Sequence, residues 1–372
     1  MIAHYLPAFM ILISLSSVAG LILYLVDKYL AHYGRCRMEI RNAPDRSCIV
    51  DGGVSLLSCL NDMELYLPSS CGGKGTCGFC KLTVHKGGEA ILPLEKIYLS
   101  RREIHANVRL ACQVKIRGDI SVTIPDELLS VKKYETRVID IKDIARDLKQ
   151  VTLDLQNSQT ISFKAGQYIQ LLVPGTDQLR SYSITSNPKY SRRIELLIKH
   201  LPGGLCSGFV HNELKKGDLL TILGPYGDFC ADRYLNRQHI TDMVFIAGGC
   251  GIAPVRSILN DLWDKRTQNT IYFFFGARRV DELYFADEYI RRNNTDEQFH
   301  FVPAVSEKHH HDNWTGRTGL IHDIIASYPF VPVKTVFFIC GPDAMIQSVS
   351  EVLITQGHPQ HQIHFDSFYS GI

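Results

Sequence analysis

The sequence lacks a marked excess of either charge. Its 372 residues include 40 lysines and arginines against 38 aspartates and glutamates, so the net charge is +2 at pH 7. Nucleic-acid-binding domains usually carry a strongly basic face, and this balance therefore argues against nucleic acid as a partner. The length is sufficient for roughly two to four domains.

The sequence also lacks the cysteine pattern of a disulfide-stabilised domain. Its 11 cysteines are an odd number in a long chain, whereas disulfide frameworks are typical of short secreted domains. Seven of them belong to no closely spaced group: Cys36, Cys48, Cys59, Cys206, Cys230, Cys250 and Cys340. We expect these seven to be unpaired, in a reducing compartment.

The other four cysteines follow a ligand pattern. Cys71, Cys77 and Cys80 lie in one glycine-rich stretch, and Cys112 follows much later. Three thiolates from a tight loop and a fourth from a later strand are typical of a [2Fe–2S] cluster. The alternative is a zinc site, but zinc sites usually pair two short Cys-x2–4-Cys units. The sequence therefore predicts a [2Fe–2S] cluster on these four residues.

Charge is absent altogether from residues 5–26. A helix of this length rises about 33 Å, enough to cross a bilayer, and the segment lacks the basic start of a signal peptide. Cations follow the segment: Lys28, Arg35, Arg37 and Arg41. The positive-inside rule then places the rest of the chain in the cytoplasm. We expect residues 1–34 to be a single-pass anchor in the inner (cell) membrane, with the soluble domains cytoplasmic.

Residues 35–130 have the pattern of a compact α+β domain around the cysteine loop. Strands are predicted at residues 37–42, 47–50, 81–84 and 120–124, and a short helix at 54–60. The block resembles a [2Fe–2S] ferredoxin domain.

Residues 131–234 contain short strand-like runs separated by turns, which predict a small antiparallel β-barrel. Arg180, Tyr182 and Ser183 share one extended segment, and these side chains suit a phosphate, a flat ring and a ring nitrogen. A glycine turn then leads into a helix whose first residues include Cys206 and Ser207, an arrangement suited to a pyrophosphate. Taken singly, each motif also fits an ordinary exposed strand or turn.

Residues 235–372 alternate strands and helices, which predicts a parallel α/β sheet. The G-x-G-x-x-G fingerprint is missing. Glycine motifs nevertheless follow three predicted strands, at the edge where open parallel sheets bind ligands. The candidate residues at these strand ends are Gly248, Gly249, Gly251, Pro254, Gly276, Arg278, Cys340, Gly341 and Pro342.

These motifs occur in an order that resembles the ferredoxin–NADP reductase superfamily. They run Arg180-x-Tyr182-Ser183, Gly204-x-x-Ser207, Gly248-Gly249-x-Gly251-x-x-Pro254 and Cys340-Gly341-Pro342. The fused cluster domain, the anchor, the gap of five residues between the first two cluster cysteines and the tail at 365–368 are similar to the F subunits of sodium-translocating NADH:quinone oxidoreductases. One departure is that this family carries an inserted segment before the flavin arginine, where residues 174–179 here connect directly.

The resemblance implies FAD and NADH as cofactors and a role for each motif. Arg180 would bind the FAD pyrophosphate, Tyr182 would pack on the isoalloxazine and Ser183 would lie near N5. Cofactor phosphates would lie against Gly204, Cys206 and Ser207 on the FAD side, and NADH against the strand-end residues named above. Catalytic roles fall to Ser183, to Cys340 beside the nicotinamide and to Phe368 on the outer flavin face. Arg278 could accept the 2′-phosphate of NADPH, but the acids that follow it favour NADH.

The implied function is electron transfer from NADH through FAD and the [2Fe–2S] cluster to a membrane partner. The expected partners are other subunits of a membrane redox complex, with quinone as the downstream acceptor and sodium transport as the coupled process. One alternative is an NADH-dependent reductase component of a membrane oxygenase or desaturase. Another is a non-enzymatic electron carrier with a degenerate NADH domain, against which the intact strand-end motifs argue.

Overall fold

The computed structural model describes residues 2–29, 33–235, 237–307 and 314–367. The chain divides into two compact units, Met1–Ser130 and Val131–Ile372. The elements of the first unit are α1 (Ile2–Tyr29), β1 (Arg35–Ile40), β2 (Cys48–Asp51), α2 (Leu56–Asp62), β3 (Lys81–Lys86), α3 (Arg101–His105), β4 (Val108–Leu110) and β5 (Ile120–Thr123).

The first helix, α1, covers 28 residues. Its apolar side chains are exposed to solvent at every large hydrophobic position that can be described between Phe9 and Leu25. Among the described residues, no helix reaches the combination of length and hydropathy that a membrane span requires. The transmembrane anchor therefore stays a prediction.

A mixed five-stranded sheet in the order β2-β1-β5-β3-β4 forms the body of the first unit. Strands β1 and β5 are parallel, and the other neighbours are antiparallel. Helix α2 begins two residues later than predicted, because the side chain of Ser55 accepts the backbone N–H of Ser58 and caps the helix there. The predicted α+β character of this unit is confirmed.

The second unit begins with an antiparallel barrel. Its elements are β6 (Lys132–Ala145), β7 (Leu148–Leu155), β8 (Tyr168–Leu172), β9 (Leu179–Ser183), β10 (Arg193–Lys199), α4 (Leu205–Asn212) and β11 (Leu219–Tyr226). The strand order is β10-β7-β6-β11-β8-β9, and a bridge between Ile184 and Leu196 joins the two ends. Alternate side chains of these strands fill the interior, as the period of two requires. The predicted barrel is confirmed.

A parallel sheet follows in the same unit. Its elements are β12 (Asp242–Gly248), α5 (Ile252–Lys265), β13 (Thr270–Ala277), α6 (Ala286–Asn293), β14 (Phe299–Val305), β15 (Arg317–Thr318), α7 (Ile321–Ala326), β16 (Thr335–Gly341), α8 (Asp343–Thr355) and β17 (Ile363–Ser367). The order is β15-β14-β13-β12-β16-β17, with every pair parallel. Apolar clusters cover both faces, which explains why the central strands are continuously apolar. The strand order reverses between β12 and β16, so the switch point lies there.

Candidate functional site

The four predicted cluster ligands form two sulfur pairs. The Cys77 thiol donates to the sulfur of Cys71 at 3.3 Å, and this contact holds the pKa of Cys71 down to about 4 while raising that of Cys77. The thiol of Cys80 likewise donates to Cys112, whose pKa falls to about 7. Backbone N–H groups of residues 75–77 also point at the Cys71 sulfur.

This arrangement fits a binuclear cluster. Two sulfur pairs can each hold one iron, and backbone N–H groups aimed at the sulfurs stabilise the extra negative charge of such a cluster. A structural zinc ion would draw four ligands to one point. In the described parts of the chain no three His, Cys, Asp or Glu side chains converge on a single ion position.

The glycines of the loop are needed for its conformation. Four of them have φ between 62° and 83°: Gly72, Gly73, Gly75 and Gly78. A Cβ on Gly75 would lie 2.6 Å from Gln113 Nε2, and one on Gly78 would lie 2.6 Å from the Tyr98 ring. The loop therefore combines left-handed backbone with close packing on both sides, which only glycine permits.

A buried ion pair, which the sequence analysis did not predict, stabilises the segment that leads to the fourth cluster ligand. Arg109 on β4 donates to both carboxylate oxygens of Glu95 at 2.9 and 2.7 Å, and Glu95 also accepts the backbone N–H of Leu110 at 3.0 Å. Burial alone would raise the pKa of Glu95, but these bonds outweigh burial and lower it. Because Cys112 follows β4 by two residues, the pair fixes the approach of the fourth ligand.

The flavin candidates lie on β9 and at the start of α4. Tyr182 pairs with Ile169 across the β8–β9 ladder and packs on the barrel core beside Cys206. Burial raises the pKa of Tyr182, and the neighbouring Cys206 raises it further. The guanidinium of Arg180 donates to Leu179 O at 2.9 Å and to Gln178 Oε1 at 2.8 Å. Ser183 ends the same strand and is buried.

The turn before α4 is fixed by its own serine. Ser207 Oγ accepts the backbone N–H of Leu201 at 3.1 Å, and a Cβ on Gly204 would lie 2.4 Å from that oxygen. Helix α4 has no side-chain cap at its start. Its first N–H groups are therefore suited to a phosphate, and the geometry gives Ser207 the additional task of holding the turn.

The strand-end candidates of the parallel sheet meet at the switch point. A Cβ on Gly251 would lie 2.0 Å from Cys340 O, and one on Gly248 would lie 2.6 Å from Met345 Sδ. Gly341 has φ 155°, and a Cβ there would lie 3.1 Å from the backbone N and O of Gly248. These glycines let β12 and the start of α5 approach the end of β16. Nearby are Gly249, Pro254 in the first turn of α5 and Pro342 at the start of α8.

Cys340 is the last residue but one of β16 and is fully buried. Burial raises the pKa of its thiol well above the ordinary value, with Asp366 adding to the shift. The side chain is therefore a neutral thiol at the ligand edge of the sheet. Phe368, predicted to cover the flavin, lies outside the described residues.

Asp366 is a candidate that the sequence reasoning missed. It lies opposite Cys340 in the β16–β17 ladder, and burial together with Asp228 raises its pKa to about 6. The signal available in the sequence was an acidic residue inside the last strand, β17, which runs parallel to β16, the strand that contains Cys340. A carboxyl group with a raised pKa beside a ligand cleft is a functional candidate.

Arg278 follows β13, where the adenosine end of a dinucleotide would lie. Its backbone N–H donates to Glu282 at 3.1 Å and its Nη2 to the same carboxylate at 3.3 Å. The neighbouring Arg279 bonds to Asp281 at 3.1 Å. Gly276 is the last residue but one of β13, and a Cβ there would lie 3.2 Å from Ile321 Cβ. Both arginines are therefore already neutralised by acids of their own loop.

Sequence models of three domain families match the chain in the order of the folded domains. They are a 2Fe-2S iron-sulfur cluster binding domain at residues 41–117, an oxidoreductase FAD-binding domain at 135–230 and an oxidoreductase NAD-binding domain at 245–351. The three predicted cofactors, a [2Fe–2S] cluster, FAD and a nicotinamide dinucleotide, are thereby confirmed.

Two curated relatives show the family. The F subunit of the Na(+)-translocating NADH-quinone reductase of Klebsiella pneumoniae is 31% identical over 94% of this chain and 96% of its own length. That of Pseudomonas paraeruginosa is 32% identical over 87% and 89%. The chain belongs to the family of F subunits of Na(+)-translocating NADH-quinone reductases. The Klebsiella relative has segments that this chain lacks, since 397 aligned positions cover only 94% of the 372 residues here.

Two solved structures share the fold of this F-type chain over most of its length. A cytochrome P450 reductase from Amycolatopsis has a TM-score of 0.71 at 26% identity, covering 90% of this chain and 98% of that one. The ferredoxin reductase in carbazole 1,9a-dioxygenase has a TM-score of 0.67 at 23% identity with the same coverage. The second likeness shows the fold alone.

Proposed function

We propose that this chain is the electron-input subunit of a membrane NADH:quinone oxidoreductase of the sodium-translocating type. The observation that carries the proposal is the presence of cluster, FAD and NAD domains in one chain of this family. When bound, FAD accepts a hydride from NADH and releases single electrons, which the [2Fe–2S] cluster carries one at a time. The partners are other subunits of the complex, with quinone as the downstream acceptor.

The residues of the barrel bind and orient the flavin in this proposal. Arg180 binds the pyrophosphate, the start of α4 from Gly204 to Ser207 adds backbone N–H donors, and Tyr182 packs on the isoalloxazine. Ser183 hydrogen-bonds near the reacting nitrogen. The close contact of Tyr182 with Cys206 supports this assignment, because it ties the ring-packing residue to the phosphate-binding helix.

The residues of the parallel sheet bind NADH. The glycines at the switch point would admit the pyrophosphate, and Cys340, which is paired with Asp366 in the β16–β17 ladder, would lie beside the nicotinamide. Phe368, which lies outside the described residues, would lie on the outer flavin face, as the family resemblance implies. At the adenosine end, the acids that occupy Arg278 and Arg279 favour NADH, since a 2′-phosphate would meet a neutralised loop.

A single-pass anchor in residues 1–34 completes the proposal. Its support is the absence of charge from residues 5–26, the cations that follow, and the exposed apolar side chains along α1. The soluble domains then lie on the cytoplasmic side of the inner (cell) membrane. The domain boundaries in this scheme are residues 34/35, 130/131 and 234/235.

The test is purification from native membranes followed by assay of NADH:quinone reduction with and without sodium ions. The proposal requires that the chain co-purifies with membrane subunits and that sodium stimulates quinone reduction. A chain that purifies alone and reduces no quinone in membranes would contradict it.

A second candidate is a reductase component of a membrane oxygenase or desaturase. It is favoured by the likeness to the Amycolatopsis reductase over nearly its whole length and by the segments that the Klebsiella relative has and this chain lacks. The two candidates share the electron route up to the cluster. The acceptor that co-purifies from native membranes separates them.

A further inference from the structure

The surface around the cluster loop combines exposed apolar side chains with unpaired cations. Residues 33–130 carry six exposed large hydrophobic side chains, and four of them belong to the cluster loop or to residues 92–97, which pack on it: Phe79, Leu92, Leu94 and Ile97. We call these four, together with Lys74, Lys96, Arg101 and Arg102, the collar. Singly exposed apolar residues are ordinary, but a concentration rimmed by charge marks an interaction site.

Two contacts place residues 92–98 against the cluster loop. Leu94 Cδ2 lies 2.9 Å from the position of a Cβ on Gly75. The Tyr98 ring packs on Gly78, and its hydroxyl donates to Thr76 O at 2.8 Å. Glu95 points inward to Arg109 and anchors this turn. Ile97 is 72% exposed beside the cluster loop, and Leu94, although it packs on Gly75, is still 37% exposed.

The charge of the collar has one sign. Every acid between residues 71 and 103 is engaged: Glu89 with Arg117, Glu95 with Arg109 and Glu103 with Lys81. The four collar cations are exposed and have no ion-pair partner among the residues that the structure describes. A partner that docks here therefore meets an apolar centre and an uncompensated positive rim.

We propose that the collar is the exit surface of the cluster and that its occupant is a protein one-electron acceptor with an acidic rim around an apolar patch. Electron transfer slows steeply with distance, so an acceptor must dock close to the loop that carries three of the four cluster ligands. The apolar centre supplies burial and the cations steer the encounter. The proposal rests on the proposed function in one respect, that the cluster passes electrons to another protein.

The experiment uses the full-length holoprotein added to membranes of a strain that lacks this chain. The charge-reversed variant Lys96→Glu/Arg101→Glu and the apolar variant Ile97→Ser test the two components of the collar. The matched controls are the double reversal Arg41→Glu/Arg46→Glu and the single change Ile49→Ser. Arg41 and Arg46 are exposed, and Ile49 is 67% exposed against 72% for Ile97. Ile49 lies on edge strand β2, at the opposite end of the sheet from β3 and β4.

Two rates are measured for each protein. The first is reduction of the cluster by NADH within the chain, followed by the EPR signal of the reduced cluster. The second is NADH-dependent reduction of quinone in the membranes, from about 0.01 to about 0.5 M ionic strength, where screening removes steering. Charge reversal should slow the second rate at low salt by roughly tenfold or more. It should leave the first rate unchanged, and the wild-type second rate should fall with added salt.

The outcomes are distinct. Equal quinone reduction by the wild type, the collar variants and the controls would overturn the proposal. A fall in internal reduction of the cluster would also overturn it, because the collar would then serve the chain's own flavin side. Collar-dependent binding of the holoprotein to phosphatidylglycerol vesicles would assign the surface to lipid instead. If the wild type itself reduces no quinone in these membranes, the proposed function fails rather than the collar.

Discussion

At the scale of single residues, the cluster loop leaves no space for a side chain at Gly75. Its φ of 77° costs a residue with a Cβ about 1–2 kcal/mol, and that Cβ would also press on Gln113 and Leu94. We expect Gly75→Ala to lower the [2Fe–2S] content of the purified protein, measured by iron and sulfide analysis and by EPR, while FAD content stays unchanged.

The matched control for this change is Gly118→Ala in the same unit. Gly118 has no neighbour within 4 Å of an added Cβ and no positive φ. A cluster content that falls equally in both variants would mean that the close packing at Gly75 is irrelevant to the cluster.

Glu282 is a second residue for which the structure allows a prediction, here about the preference for NADH over NADPH. Its carboxylate accepts hydrogen bonds from the backbone N–H and from the guanidinium of Arg278. We expect Glu282→Gln to raise kcat/KM for NADPH by about tenfold or more, because a freed arginine can form one charge-assisted bond to the 2′-phosphate. Steady-state reduction of ferricyanide with NADH and NADPH gives the ratio.

Asp287→Asn serves as the control for coenzyme choice, since it removes the same charge from the start of α6 without touching Arg278. If both variants gain equal activity with NADPH, the effect is one of general charge. If neither gains any, Arg278 does not meet the 2′-phosphate.

At the scale of elements, one glycine, Gly251, allows the start of α5 to pack closely against the end of β16. A Cβ on Gly251 would lie 2.0 Å from Cys340 O, and such overpacking costs about 1–3 kcal/mol. We expect Gly251→Ala to raise the KM for NADH by roughly ten- to hundredfold while cluster and FAD contents are kept. Gly208→Ala, at a helical site with nothing within 4 Å, should leave the KM unchanged, and an unchanged KM in Gly251→Ala would remove the switch point from the NADH site.

Many elements of the fold follow from local sequence, and the exceptions have physical reasons. About half of the strands of the barrel and the parallel sheet were predicted from their apolar runs, as at β8 and β12. Helix α3 and strand β4 were not predicted, since they are short and depend on a capping box at Ser100 and on the Glu95–Arg109 pair. Such distant pairings leave no periodic signal.

The candidate site divides in the same way. The cysteines and strand-end glycines carry signals of spacing, whereas Asp366 acquires its raised pKa only from the burial and the neighbours that folding provides. The contact between Tyr182 and Cys206 joins residues from separate elements and was likewise invisible in the sequence.

At the scale of the whole molecule, we expect the N-terminal segment to determine where the redox domains work. We expect deletion of residues 1–33 to give a soluble protein that still oxidises NADH with ferricyanide but fails to reduce quinone in membranes. The reason is that a tether raises the local concentration of the partner. Quinone reduction by the truncated protein equal to that of the intact one would show that the anchor is not needed for coupling.

The order of electron flow is the second property of the whole chain. The flavin and cluster residues belong to different compact units, so the two halves of the route can be interrupted separately. Cys112→Ser should leave flavin reduction by NADH nearly unchanged in stopped-flow absorbance, and the flavin should then stay reduced because its one-electron outlet is lost.

Arg180→Ala should interrupt the flavin half of the route and leave the cluster half intact. It removes a charge-assisted bond worth about 1.5–3 kcal/mol, or roughly ten- to hundredfold in FAD affinity, so the cluster persists but NADH no longer reduces it. If Cys112→Ser keeps its FAD yet loses flavin reduction by NADH, the linear route from NADH through FAD to the cluster is wrong.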